Sequence, residues 1–596
     1  MFGRKSKKWV VLSIAALSAM GLAACSKGAN GNKPVHMSES YSSSKPATKA
    51  GNKSTLKVAE INDAPFAGIP YPSLQSNGED SDVYSPGGEG GLFNQNKNYE
   101  ITKGGLANLK LNKKNNTATI TLRKGAKWSN GMKVTAKDVE YPYEIIANKN
   151  SKSQQYTTDM NDINGMKAYH AGKASKISGI TFPDGPKGRV TVIHYNHLTP
   201  ALKYNGNDFM WGAVEPYEYM KNVPISKLMS APQVRKHPIF TGPYKLKKQV
   251  SGESTSWVPN KHYWGPKPKI KHINIQVVST DNFTEAMKTK KYDFVFGAPS
   301  TQYPRVKTLK DYSDVAHPGL EFSYFGFNVG HATKSGKQVM GKHMKMDNQN
   351  LRRAMLYAVN LNELAKKFGH GIDYRANTLI PPVFKQYHSS YKSTPGFNYN
   401  MSKAKSLLKA AGYKKRHGSK YVSQPNGKKL VVHLGAMSGS ATADAQYQYM
   451  MQQWRKLGID AKYTNGKPIE INSFYSNLEK PKQSSMDVFL GAFSTNSEPT
   501  PTDFFGIESP FNMGHFASKE NTKLLNEMNS KKSFNLKYRV KIFKKWQKYM
   551  NKVAAYGPDT FSLDWSPVNH RVTGFSYSPA DNNFWGKLGL NSSSLK

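Results

Sequence analysis

The sequence predicts an α/β protein of more than one domain, and three observations support that reading. The chain has 596 residues, too many for one compact core, so two or three domains are expected. Between residues 431 and 463 a β-branched run (Val431 to Leu434), a helical run (Ala441 to Leu457) closed by Gly458, and a second short apolar run (Ile459 to Tyr463) follow one another. That βαβ alternation implies a parallel sheet covered by helices. Elsewhere the pattern has period 2, as in Thr117 to Leu122, which predicts strands exposed on one face. An apolar content of 38% with 12% aromatics is enough to fill the cores of such domains.

Charge and the N-terminus set the surroundings. With 85 basic and 40 acidic residues the formal charge is +45, which calls for an anionic environment or partner. Nucleic acid is not the expected partner, because the lysines are spread over the chain and no nucleic-acid-binding motif is found. Arg4, Lys5, Lys7 and Lys8 precede an apolar run from Trp9 to Ala19 and the small-residue sequence Leu22-Ala23-Ala24-Cys25. This is the pattern of a bacterial lipoprotein signal, with Cys25 as the residue that carries lipid. Cys25 is the single cysteine, so a disulfide within the chain is ruled out. The apolar run is shorter than the ~20 residues a membrane span needs. Loss of the four basic residues takes the charge from +45 to +41. Residues 26–54 have few bulky apolar groups and are expected to form a flexible tether.

Taken in order, the folded part begins with a strand at Leu56 to Ala59, followed by a loop with Pro65, Pro70, Pro72 and glycines 87 to 91. Trp128-Ser129-Asn130-Gly131 reads as a turn. Thr135 and Asp138 have capping-box spacing, and Val139, Tyr143 and Ile146 fall on one helical face behind them. Pro142 lies inside that pattern at a cost of roughly 3 kcal/mol, so the helix should kink or start late. His194 and His197 are read as strand-end residues without metal. Tyr244 to Val258 alternates around Gly252 as a hairpin, and Tyr263-Trp264-Gly265 with Pro266 and Pro268 forms an aromatic-anchored loop before a strand at His272 to Val278. A buried strand is expected at Tyr292 to Gly297 and an aromatic one at Glu321 to Val329. Asn350 is placed to cap a helix. Ser402 is expected as the N-cap of a helix ended by Gly412, which accounts for its spacing to Lys405 without a catalytic serine. The strand Met486 to Ser494 and two helices between Asn521 and Ala554 complete the pattern.

Four strings carry a family resemblance: LRKGAKWSNGMKVTAKDVEY; TGPYKLK with Gly252-Glu253-Ser254 and PNKHYWGPKPKIKHI; the aromatic strand from Glu321; and LRRAMLYAVNLNELAKKF. In this order they resemble the oligopeptide-binding lipoproteins of bacterial ABC importers, solute-binding protein family 5. The resemblance runs from about Leu56 to the C-terminus. It implies an α/β, two-lobed, periplasmic-binding-protein-like (type II) fold with an extra subdomain on the first lobe. The implied partition is lobe I at 55–92, 233–316 and 561–596, the subdomain at 93–232 and lobe II at 317–560. Implied partners are an oligopeptide, the permease and ATPase subunits of an importer, and the membrane through the lipid anchor; the protein is expected to be a monomer without cofactor or metal.

The resemblance places Tyr324, Phe325, Phe327 and Asn328 on one strand, and Ala492, Phe493, Ser494 and Asn496 on another, against the ligand. Many relatives have a tryptophan and, three residues on, an aspartate that pairs with the peptide's α-amino group. Here Phe493 and Asn496 stand in those places, so Glu498, Asp503 or Asp559 is needed if a charge is to hold the terminus. Nickel, opine or glycan ligands also occur in the wider family, and the charge leaves a basic adhesin or wall-binding protein as the alternative class. No G-x-S-x-G, H-E-x-x-H or P-loop string is found, and the single cysteine is assigned to lipid, so no enzyme is expected. If the basic surface holds the protein to anionic wall polymers, a Cys25→Ala form should be released from cell walls as salt is raised, because screening shortens to ~3 Å at 1 M; retention independent of salt contradicts this.

Overall fold

The computed structural model describes residues 33–88, 91–438, 441–482 and 485–595, so Cys25 and the signal segment lie outside the described residues. The first sheet has the order Phe294–Phe296, Thr55–Ile61, His272–Val278, Ser254–Pro259, Tyr244–Val250. Thr55–Ile61 runs parallel to both of its neighbours. The hairpin Tyr244–Val250/Ser254–Pro259 is antiparallel, and Gly252 makes its turn in the left-handed region at φ 72°. Tyr244 is buried while Lys245 and Lys247 are exposed, the alternation of a sheet with one wet face. Phe294, Trp257, Ile273 and Val58 form the core beneath.

The segment between these strands folds as a separate sheet, in the order Ala107–Asn112, Thr117–Leu122, Val190–His194, Ile180–Thr181. Across its core lies the helix Ala136–Ala147, whose capping box is formed. The Thr135 N–H donates to Asp138 Oδ2 at 2.9 Å, and the same carboxyl accepts from Trp128 Nε1 (3.1 Å) and from the Tyr217 N–H (2.8 Å). Of the two outcomes expected from Pro142, a kink or a late start, the late start does not occur: the helix begins at Ala136, directly after its Thr135 cap. Proline cannot donate to the carbonyl four residues back, but that carbonyl, on Asp138, accepts from the Glu215 N–H at 3.0 Å. His197 pairs with Asp162 at 3.0 Å, an acidic neighbour that is distant in sequence.

The second lobe is built on a sheet of order Asp373–Arg375, Tyr556–Asn569, Tyr312–Phe327, Val488–Ser494, Val431–Gly435, Asp460–Tyr463. Its βαβ unit is parallel as expected, with the helix Ala441–Leu457 between the strands. Two caps differ from the sequence reading. Asn348, not Asn350, caps Gln349–Ala358, and Asn400, not Ser402, caps Met401–Ala410. In each case the asparagine oxygen accepts from helical N–H groups that only the fold shows to be free.

The tether expectation also needs correction within residues 33–54. Ser40–Tyr41 pairs with Phe575–Ser576, and Lys49–Lys53 forms a short helix capped by Thr48. Hydrogen bonds hold this segment, with Val35, Met37 and Tyr41 packed against the cores: Lys271 donates to the Asn52 carbonyl and Leu590 to Asn52 Oδ1, both at 2.9 Å.

A buried ion pair ties the chain ends to the first lobe. Arg571 Nε and Nη2 reach the two Asp293 oxygens at 2.6 and 2.8 Å, Nη2 also donates to the Thr55 carbonyl and Nη1 to that of Ser593, and the Lys57 N–H donates to Asp293. Arg571→Ala should destabilise the first lobe by about 3–5 kcal/mol in urea unfolding, because it strands a buried charge; adding Asp293→Asn should recover part of that loss.

Candidate ligand-binding site

Two long strands pass from one lobe into the other. Tyr312–Phe327 pairs antiparallel with Tyr556–Asn569 from Tyr312↔Asn569 to Pro318↔Leu563, loses register between Pro318 and Phe322, pairs again at Phe322↔Phe561 and shifts once more before Tyr324↔Pro558. On the near side of the break Val315 and Val568 pack into the core under the first sheet; Tyr312, Ala316 and Trp565 on that side, and Phe322, Tyr324, Phe561 and Tyr556 beyond it, share one larger core that also takes in Ala59 and Val295 of the first sheet. At this irregularity the strand keeps its pairing on the other side, with Glu321 opposite Ser494 and the Thr495 N–H donating to the Leu320 carbonyl at 3.0 Å.

Above this break lie two cavities that share Glu321. The larger, about 610 Å³, is walled by Gly297 to Thr301 from the first lobe and by Met437, Tyr447, Gly491 and Ala492 from the second, with Ser323, Asp559 and Asp564 on its floor. The smaller, about 500 Å³, lies between Gln75 to Gly78, Asp208 of the subdomain and Phe493 to Asn496. A wider groove of about 910 Å³ runs along the hairpin strand Gln338–Met340 and the helix Lys519–Met528. No residue of the first lobe lines it, so lobe closure would not enclose a solute there.

The lobes touch across the cleft. Tyr204 of the subdomain and Tyr387 of the second lobe share a hydroxyl–hydroxyl hydrogen bond of 2.6 Å. Asn496 Nδ2 donates to Asp208 Oδ1 at 2.6 Å, and Asp373 accepts from Ser300 and Ser562, each at 2.6 Å. Arg539, buried beside the Tyr204 and Tyr387 rings, pairs with Glu498.

The cleft's electrostatics are opposite to those of the whole chain. Among the described residues, the two cavities are lined by Asp82, Asp208, Glu321, Asp373, Glu498, Asp503, Asp559 and Asp564, and by no lysine, arginine or histidine. Near the smaller one, Asp159, Asp208 and Asp503 bring carboxylate oxygens within 4.8 Å of one another. No described residue donates a hydrogen bond or ion pair to the carboxyls of Glu321, Asp559 or Asp564. Burial pushes Glu321 up to about 8, with Asp564 and Asp373 adding repulsion. It pushes Asp559 up to about 7, again with Asp373, and Asp564 up to about 6. Asp564 is open to the cavity yet enclosed by protein around it, and that enclosure sets the direction of its shift.

Of the eight residues expected at the ligand, Ala492 lines the larger cavity, and Phe493, Ser494 and Asn496 line the smaller. Tyr324, Phe325, Phe327 and Asn328 line neither. Tyr324 stacks on Phe493 at 4.6 Å, beneath Gly491, where an added Cβ would come within 2.8 Å of its hydroxyl. Phe325 packs towards Trp454, Phe327 is fully buried, and Asn328 is buried where the strand ends. The face of this strand towards the larger cavity is instead Glu321 and Ser323, while Phe322 reaches the smaller cavity beside Phe493. Period 2 offered that signal, since Phe322 and Tyr324 point the other way. Of the three candidate amine partners, Glu498 is taken by Arg539, Asp503 lies in the acidic group of the smaller cavity, and Asp559 faces the larger cavity without a donor.

The model of the bacterial extracellular solute-binding proteins, family 5 (middle region), matches residues 102–515. The chain belongs to that family. It is 40% identical over 512 residues, 85% of each chain, to the oligopeptide-binding protein OppA of Lactococcus lactis subsp. cremoris (strain SK11), and 36% identical over 602 residues, 99% of each, to OppA of Lactococcus lactis subsp. lactis (strain IL1403). Lactococcal OppA complexed with an endogenous peptide in the closed conformation superposes with TM-score 0.81 at 39% identity, over 90% of this chain and 100% of that one. AppA from Bacillus subtilis, in complex with a nonapeptide, shares the fold at TM-score 0.66 and 18% identity, over 91% and 99%. The two-lobed architecture is therefore that of family 5, and the cavities lie between its lobes. Among the described residues no helix is long and apolar enough to cross a membrane.

The raised carboxyls make stability depend on pH. An acid whose folded pKa exceeds its unfolded value stabilises the fold while protonated, and that contribution is lost as pH rises through the folded value. The solute-free family 5 protein should therefore lose thermal stability between about pH 4.5 and 8, the interval from the ordinary glutamate value to that of buried Glu321. Glu321→Gln should flatten this slope in a melting series across that range; an unchanged slope contradicts the assignment.

Proposed function

We propose that the protein captures oligopeptides in the cleft between its lobes, closes on them about the crossing strands, and delivers them to the permease and ATPase subunits of an ABC importer. A lipid on Cys25 would hold the monomer at the outer face of the membrane. The observation that carries this reading is the pair of adjoining cavities at Glu321, bounded by both lobes, in a chain 40% identical to proteins named as oligopeptide-binding. An elongated space suits an extended main chain, and recognition through backbone hydrogen bonds gives affinity while tolerating varied side chains. Contacts from Ala492, Phe493, Ser494 and Asn496 fit such a ligand; Tyr324, Phe325, Phe327 and Asn328 support the wall behind them.

A solute that touches both lobes binds the closed state better and shifts the population towards it. Cross-lobe bonds such as Tyr204–Tyr387 and Asn496–Asp208 add to the closed state at about 0.5–1.5 kcal/mol each. Native mass spectrometry of protein purified from its own cells is the direct test. Bound masses that fragment as peptides are expected. A bound metal ion or glycan alone, with no uptake of added oligopeptides, contradicts the proposal.

A further inference from the structure

The cleft's unpartnered acidic floor assigns a ligand class within that reading. We infer that the oligopeptides this protein selects are cationic, held by ammonium or guanidinium groups against Glu321, Asp559 and Asp564. The inference rests on the proposed peptide capture and adds its chemical preference.

The first ground is segregation of charge. Eight acidic side chains line the two cavities and no basic one does among the described residues, in a chain with 85 basic and 40 acidic residues. A cleft lined in proportion to the composition would be predominantly basic. The second ground is lack of partners. Asp559 is only 9% exposed, lines the larger cavity, and receives no hydrogen bond or ion pair from any described residue. Buried carboxyls are ordinarily paired, since leaving one unpaired is costly. Asp373 shows the contrast, because the Ser300 and Ser562 hydroxyls both donate to it. Three carboxyls left without donors on one floor match a ligand that brings its own donors and positive charge.

Among the described residues these groups have no lysine or arginine beside them; His317, directly across the ladder from Asp564, lies beside Glu39, and burial holds its imidazole below the ordinary range. Glu321 faces Asp564, Asp373 and Tyr475; Asp559 faces Asp373 and Tyr447; Asp564 faces Glu321, Tyr99 and Tyr577. Burial raises all three carboxyls, Glu321 furthest, to about 8, so a cation that binds beside Glu321 below that pH releases its proton. The basic outer surface acts weakly here, its field being screened within ~8 Å at physiological salt. Each direct charge-assisted contact is expected to add about 1.5–3 kcal/mol, roughly ten- to a hundredfold in affinity.

Isothermal titration of the purified protein, stripped of bound solute, tests this with three octapeptides that differ only in carrying Lys, Gln or Glu at the same three positions. At pH 7.5 the Lys peptide should bind at least tenfold more tightly than the Gln peptide, the Glu peptide most weakly, and buffers of different ionisation enthalpy should register proton release with the Lys peptide. Glu321→Gln and Asp559→Asn should each shrink the Lys-to-Gln ratio, and the wild-type comparison decides the matter even where a variant does not fold. Equal binding of the Lys and Gln peptides overturns the cationic preference and leaves peptide capture standing. Binding of none of the three overturns peptide capture itself.

Discussion

Antiparallel pairing of Tyr312–Phe327 with Tyr556–Asn569 is the interaction on which the rest of this molecule depends. Val315 and Val568 of these strands pack under the first sheet, and Phe322, Tyr324, Tyr556 and Phe561 pack in the larger core of the second, so the ladder between them joins the lobes through backbone. Its break between Pro318 and Phe322 lies beneath the cleft, next to Glu321. If the lobes close about this irregularity as proposed, the backbone that moves adjoins the carboxyl of Glu321. A ligand resting on that floor is coupled to the hinge directly, without a relay through the core.

Charge is divided between outside and inside to an extent that composition alone conceals. A formal charge of +45 suits an anionic wall or membrane surface, whereas the cleft carries acids only. The two requirements coexist because screening in salt water keeps the outer lysines from acting far into a cavity. Where the body of the chain needs a charge buried, it pairs it, as with Asp293 and Arg571 or Glu498 and Arg539. On the cleft floor, Glu321, Asp559 and Asp564 have no donor among the described residues.

Local rules made much of the architecture legible. The hairpin around Gly252, the capping box of Thr135 and Asp138, and the parallel unit ending at Tyr463 each depend on neighbours in sequence, and each forms where expected. Readings failed where a distant group decides the outcome. Pro142 is tolerated because Glu215 takes the carbonyl it cannot serve. Residues 40–53 are ordered because the chain's C-terminal strands offer them hydrogen bonds. Asn348 and Asn400 displaced the expected caps, since several polar residues near each helix start qualify and tertiary geometry chooses. At the site, aromatic residues drew attention to Tyr324 and Phe325, whose faces point into the core. Glu321 and Ser323 were visible in the alternation, but which face of a strand meets a cleft is a property of the whole sheet. Asn496 was legible as a departure from the family's aspartate; that it spends its amide on Asp208 across the lobes was not.

The central claim is that a peptide closes the lobes about the crossing strands. Small-angle X-ray scattering on the stripped protein, before and after saturation with an oligopeptide, measures this most directly. The account predicts a smaller radius of gyration and maximum dimension in the bound state, reversed when the peptide is removed. Scattering that is unchanged by saturating peptide would contradict it.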